Sequence, residues 1–221
     1  MERKTKFVVG EFYHIYNRGV EKRIIFQNIT DYKRFLALLY IANGSEQVHI
    51  NNNVWYKGDI DNVFKNDRGE PLVAIGAYCL MPNHFHLLLT PLVEGGISKF
   101  MLKLQTGYSM YFNKKNDRVG ALFQGVFKSQ HIDDDVYLRY IYAYIHLNPA
   151  KLKNSKWKIQ PKSFLNQLKK FIAEYLYSSL QEYLSGNYKI IDHKPFPVDR
   201  EQIVDYNSTV NDFGEFSEVN P

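Results

Sequence analysis

The chain has 221 residues and a mass of 26.0 kDa, and 45% hydrophobic with 15% aromatic content excludes general disorder in favour of one sizeable domain or a compact domain with an extension. The single cysteine, Cys79, excludes a disulfide framework and a Cys-rich zinc site. The net charge of +5 is spread unevenly: Ile97 to Trp157 holds ten Lys/Arg against four acids, and Ile191 to Pro221 holds seven acids against Lys194 and Arg200. A basic middle with aromatic residues threaded through it suits a polyanion, cations meeting phosphates and rings meeting bases; a solvated cationic face is the plainer alternative.

Met1 leads into Glu2, Arg3, Lys4 and Lys6 with no apolar signal core, and the longest apolar runs, Leu72 to Met81 and Phe35 to Ala42, are about half of a membrane span. A cytoplasmic address with no membrane partner is expected. Glu11 to Tyr16 alternates as a strand and ends at Asn17-Arg18-Gly19. Thr30 is the expected cap of a helix reaching about Ala42, with Tyr32, Phe35, Leu36, Leu39 and Tyr40 at helical spacing. Asn43 to Pro71 reads as a long polar loop, an insertion, with a short hairpin around Val54-Trp55-Tyr56. Leu72 to Leu80 is a buried strand, Met81-Pro82-Asn83 a turn, and His84 to Thr90 a second strand.

A helix follows from about Ile97 to Asn113, then a loop or short hairpin from Asn116 to Ser129. Asp133-Asp134-Asp135 gives the next helix an acidic start, favourable for its dipole, and Asn148-Pro149 ends it after Leu147. A last amphipathic stretch covers Phe164 to Leu184, before a weakly ordered acidic tail. The pattern is α+β, a mainly antiparallel sheet with packed helices.

Two features can carry chemistry. His84 and His86 sit at i and i+2 of a strand, so both imidazoles face one side, where two neutral rings can bind one divalent ion. A lone His-x-His is more often an inert pair, and a histidine-triad hydrolase is excluded because Leu88 occupies the third position. Tyr144 and Asn148 lie four apart on the helix after Asp133 and share a face; tyrosine can act as a nucleophile and an amide oxygen can ligate a hard cation. Spacing alone does not select that tyrosine from the 17 in the chain.

Four segments together resemble the single-tyrosine transposases of the HUH nuclease superfamily, and especially their REP-associated branch. They are YHIYNRG (Tyr13 to Gly19), AYCLMPNHFHLLL (Ala77 to Leu89), LFQGVFKS (Leu122 to Ser129) and YIHLNPAK (Tyr144 to Lys151). The resemblance implies a ferredoxin-like fold in which both histidines lie on a central strand and the tyrosine helix packs across them. It implies a catalytic domain over residues 1–155 with the 43–71 segment as a loop insertion, and a C-terminal helical extension with an acidic tail over 156–221.

It further implies His84, His86 and Asn148 as ligands of Mg²⁺ or Mn²⁺, Tyr144 as nucleophile, and cleavage and rejoining of single-stranded DNA beside a palindromic hairpin through a 5′-phosphotyrosine. Lys114, Lys115, Arg118 and Lys128 are expected backbone contacts, Gln124 a polar contact, and Phe123 a stacking ring, with Phe127 assigned to the core. Where relatives often have Gly-Arg, this chain has Gly125-Val126. The competing functions are a non-cutting binder of structured single-stranded DNA and a nuclease that activates water, which would survive Tyr144→Phe. Monomer and homodimer are both open, as is the choice between a mobile and a domesticated enzyme.

Overall fold

The computed structural model describes residues 6–46, 62–157, 162–205 and 209–210. Strand β1 spans Phe12–Arg18, helix α1 Ile29–Ile41, β2 Val73–Met81, β3 His84–Pro91, α2 Gly96–Lys115 and β4 Lys128–Ile132. All three strand pairings are antiparallel, in the order β2-β3-β1-β4. A βαββαβ chain with that strand order is the ferredoxin-like arrangement expected from the motifs.

The pleat divides the sheet into two faces. On one side Ile15 and Asn17 of β1 stand level with Leu87 and Phe85 of β3. Here α1 and α2 form a layer in which Phe35 meets Phe85 at 5.0 Å and Tyr108 at 5.0 Å. The other face carries His14, Tyr16 and Arg18 of β1, with His86 opposite Tyr16 and His84 opposite Arg18. Helix α3, Asp135–Leu147, crosses this second face and is capped by the Asp134 carboxylate, which accepts from the N–H groups of Val136 and Tyr137.

Several boundaries differ from expectation. Helix α1 starts earlier because Asn28, not Thr30, is its cap: Asn28 and Asp31 exchange side-chain and backbone hydrogen bonds in a capping box. Strand β4 occupies Lys128–Ile132, where the polar run KSQHI hid an edge strand that needs only one apolar face. The stretch expected as one amphipathic element is broken into α5, Lys162–Ala173, and α6, Leu180–Ser185, after the short α4, Ala150–Lys153; α7 is Arg200–Val204.

The break between α5 and α6 has a structural use. Tyr177 lends its carbonyl to the Leu80 N–H, Ser179 N–H donates to Tyr78 O, and Asp192 N–H donates to Ile75 O, so the C-terminal segment covers the outer edge of β2. Tyr183, Ile190, Ile191, Phe196 and Ile203 join the same core as the sheet. Gly76 makes the approach possible: it stands at the β2 bulge, and a Cβ there would meet the Tyr142 hydroxyl at 2.6 Å and the Phe196 ring at 2.8 Å.

The described ends of the 43–71 insertion pair with each other, Ser45 N–H to Glu70 O and Glu46 N–H to Arg68 O, above a buried Asn43 whose amide holds the backbone of Leu72 and Val73. The hairpin expected at Val54-Trp55-Tyr56 lies outside the described residues, while the acidic stretch expected to be weakly ordered is described over 191–205, where Ile191, Phe196 and Ile203 are buried. No helix among the described residues is long and apolar enough to cross a membrane.

Candidate active site

The site forms where β3 and α3 face each other. Tyr144 projects from α3 and stands edge-on to His86, with ring centroids 5.3 Å apart and planes at 89°. His84 and His86 are 5.0 Å apart on β3. Asn148 follows at the C-terminus of α3, fully buried, and its amide donates back to the Tyr144 carbonyl. One turn on, the Lys151 ammonium lies 3.1 Å from Asn148 Oδ1 and 4.9 Å from the centre of the Tyr144 ring. The four residues selected by the motifs therefore converge, and Lys151 joins them.

The imidazoles are neutral at physiological pH. Burial lowers the His84 pKa to about 4, with the Arg18 and Lys151 cations adding to the effect. Burial alone lowers His14 to about 4, and burial with neighbouring histidines and Lys151 puts His86 well below its ordinary value. Cys79, level with His86 on β2, keeps its proton because burial pushes the thiol pKa up, so it offers no thiolate. Burial also raises the Tyr144 pKa, the Asn148 amide working in the opposite direction, and the phenol is protonated at rest.

The hydrogen bonds behind the rings decide what they present. Asn83 Nδ2 donates to Lys22 O, which turns its Oδ1 toward His84 Nδ1 at 2.6 Å. His84 must then donate from Nδ1, leaving Nε2 as a free lone pair. A hard cation fits this donor set. Among the described residues no group of three His, Cys, Asp or Glu side chains is arranged to hold a metal ion, and the neutral donors present at this face are the two imidazoles and the Asn148 amide oxygen. Asn148 Oδ1 already accepts from an ammonium cation.

The expected DNA contacts separate. Lys128 lies level with Tyr16, on the imidazole face at the exposed edge of β4. Gln124 is exposed and tied by its backbone N–H to Arg18 O, at the His84 end of the sheet. Lys114 is exposed at the end of α2, in the layer opposite the imidazoles. The other three have contacts within the fold. Lys115 is exposed and paired at 2.6 Å with the fully buried Asp31 carboxylate, which also takes the Tyr111 hydroxyl. The Arg118 guanidinium closes a turn through Asn113 Oδ1 and Ala121 O. Phe123 is buried against Phe85 and Tyr108 and has no face to offer a base; Phe127 is buried as expected.

The sequence reading missed His14, Arg18 and Lys151. For the first two the signal was there: His14, Tyr16 and Arg18 alternate on the strand that neighbours His84 and His86, so one face of β1 was bound to complete the site.

Comparison with known proteins comes to the same place. Residues 41–148 match the family model described as transposase, IS200 like, a match that ends on Asn148. This part of the chain is similar to the IS200-like transposases. A solved structure of a REP-associated tyrosine transposase bound to a REP hairpin is similar in fold, with a TM-score of 0.52 at 15% identity over 90% of this chain and 93% of that one. No curated protein matches the chain. Both findings agree with the resemblance drawn from the four motifs: the family model in the transposase it describes, and the solved structure in its fold.

Proposed function

We propose that the protein cuts and rejoins single-stranded DNA beside a palindromic hairpin through a covalent bond to Tyr144. The observation that carries this reading is the placement of Tyr144 edge-on to His86, on a helix crossing the one sheet face that holds both imidazoles. The hairpin comes from the similar structure, whose bound ligand is a REP hairpin.

His84 Nε2, His86 Nε2 and Asn148 Oδ1 would hold Mg²⁺ or Mn²⁺, oxygen and imidazole donors suiting these ions in a phosphate-processing site. Three neutral ligands leave the ion most of its charge, which would polarise the scissile phosphate and stabilise the extra negative charge at the transition state. Tyr144 Oη attacks phosphorus in line; its proton leaves on the open side of the helix, where the ring is partly exposed. The P–O3′ bond breaks, the departing oxygen takes up a proton as a 3′-hydroxyl, and the 5′-phosphate stays on Tyr144. Because the new phosphodiester keeps the energy of the old one, an incoming 3′-hydroxyl reverses the step without a nucleotide cofactor. The Lys151 ammonium beside the Tyr144 ring favours the tyrosinate as attacking and as leaving group. Lys128 and Gln124 border the face on which the strand would lie, and Arg18 stands level with His84.

The test is a denaturing gel of protein with Mn²⁺ and end-labelled hairpin oligonucleotides. A metal-dependent band that survives SDS and is lost in Tyr144→Phe and His84→Ala is expected. Cleavage that persists in Tyr144→Phe without an adduct would replace the covalent mechanism with an activated-water one, and binding without either would leave a DNA-binding protein.

A further inference from the structure

The geometry points to a positioning role for His14: we infer that its ring accepts the Nδ1 proton of His86 and so fixes the nitrogen that His86 presents to a divalent cation. The inference rests on the reading of His84, His86 and Asn148 as a cation site. His14 stands level with Leu88, not with His86, so its ring has to lean two residues along the ladder to make this contact. It does so closely: His14 Nε2 and His86 Nδ1 are 2.9 Å apart, the rings are stacked with centroids at 5.1 Å, and both residues are buried.

Only one of those two nitrogens carries the hydrogen between them, which leaves two arrangements. If His14 donates from Nε2, neutral His86 keeps its own proton on Nε2 and has no lone pair on the site face. If His86 donates from Nδ1, its Nε2 is free, and neutral His14 carries its proton on Nδ1. His84 is already in the second state, because Asn83 can only accept from it. A cation bound by both rings therefore requires His14 to be the acceptor. The two imidazoles then present matching Nε2 lone pairs, each backed by its own acceptor, one on the preceding turn and one on the neighbouring strand. By linkage, a cation that selects this tautomer is itself bound more tightly wherever His14 favours it.

The acceptor is also specific to this position. Tyr16 stands level with His86 with its ring 5.8 Å away and the Tyr144 ring stands edge-on at 5.3 Å, and the nitrogen contact of His86 is with His14.

The experiment compares full-length wild type, His14→Phe and His14→Gln. Phenylalanine keeps an aromatic ring but removes the acceptor, and glutamine restores an acceptor oxygen. Mn²⁺ affinity is measured by titration calorimetry, and circular dichroism with thermal unfolding reports the fold. His14→Phe is expected to lose about 10- to 100-fold in Mn²⁺ affinity, with His14→Gln recovering most of it. Nitrogen chemical shifts of the His86 ring in wild type saturated with Mg²⁺ should show the proton on Nδ1, a measurement that needs no folded variant. Equal Mn²⁺ affinities for wild type and His14→Phe would overturn the role of His14 and leave the cation site standing, whereas a proton on His86 Nε2 would overturn that role together with His86 as a ligand. A wild type that binds no Mn²⁺ would overturn both.

Discussion

Glu182 is the residue whose loss tests whether the C-terminal segment belongs to the catalytic fold. Its carboxylate is buried; Oε1 accepts the Tyr78 hydroxyl from β2 at 3.0 Å, and Oε2 accepts the N–H groups of Lys189, Ile190 and Ile191 at 2.6, 2.9 and 3.3 Å. One side chain thus ties α6, the turn after it and the edge strand β2. Glu182→Ala leaves a buried hydroxyl and the N–H groups of two buried isoleucines without acceptors, at about 1–3 kcal/mol each. Allowing for water reaching part of the gap, the loss should be about 3–5 kcal/mol, against a total of about 5–15 kcal/mol for a domain. In a chain of this size that lowers Tm by roughly 10–15 °C at about 2–4 °C per kcal/mol. Urea unfolding followed by far-UV dichroism measures it. Glu182→Gln, which keeps one acceptor oxygen and the side-chain volume, should lose about half as much. A chain ending at residue 155 should show no cooperative transition, since it also gives up Tyr183, Ile190, Ile191 and Phe196 from the core. A Glu182→Ala protein within about 1 kcal/mol of wild type would show that the segment is an appendage and refute the argument.

Other outcomes follow from the same structure. Tyr144→Phe should abolish the SDS-stable adduct while leaving hairpin affinity within about threefold, read by filter binding, because the ring and its packing remain. Lys128→Ala should weaken DNA binding and reduce the salt slope by about one unit, whereas Lys115→Met should lower stability by about 1–3 kcal/mol, because the buried Asp31 carboxylate loses its cation but keeps the Tyr111 hydroxyl and the Gln27 and Asn28 N–H groups, and should leave the slope unchanged. His146 is fully buried, hydrogen-bonded to Ser179, and burial lowers its pKa to about 3. The unfolded chain therefore binds a proton that the folded one refuses, and stability should fall as pH drops below about 6.5, by about 1.4 kcal/mol per unit, continuing toward pH 3. His146→Gln should reduce the slope of the urea-derived profile by that amount, leaving the part that the buried His14, His84 and His86 contribute.

Much of the fold is legible because β2 and β3 are almost wholly buried. VAIGAYCLM is a nearly continuous apolar run rich in strand formers, HFHLLLTP sets three leucines after its two histidines, and the MPN turn between the two favours a hairpin. Strand β4 is illegible for the opposite reason. KSQHI has one buried residue and draws its place from pairing with β1, a long-range interaction with no local signature. The same holds for Lys115: its sequence context is an exposed basic helix end, and only the fold brings the Asp31 carboxylate to it from 84 residues away.

The site divides along the same line. His84 and His86 are two apart on one strand, and Tyr144 and Asn148 four apart on one helix, so each pair is visible as a period; that the pairs meet is tertiary information, supplied in the sequence only by resemblance. His14 shows what spacing cannot reach even then. It was present in the YHIYNRG motif and in phase with Tyr16 and Arg18, so its face was readable. Its partner was not, because the register places Leu88 opposite it and the contact with His86 runs along the diagonal. A diagonal hydrogen bond depends on the twist of the sheet and on a rotamer, and both are settled by packing rather than by order along the chain. The residues proposed to do the chemistry are therefore the readable ones here, and the residue proposed to aim one of them becomes visible only once the strands are paired.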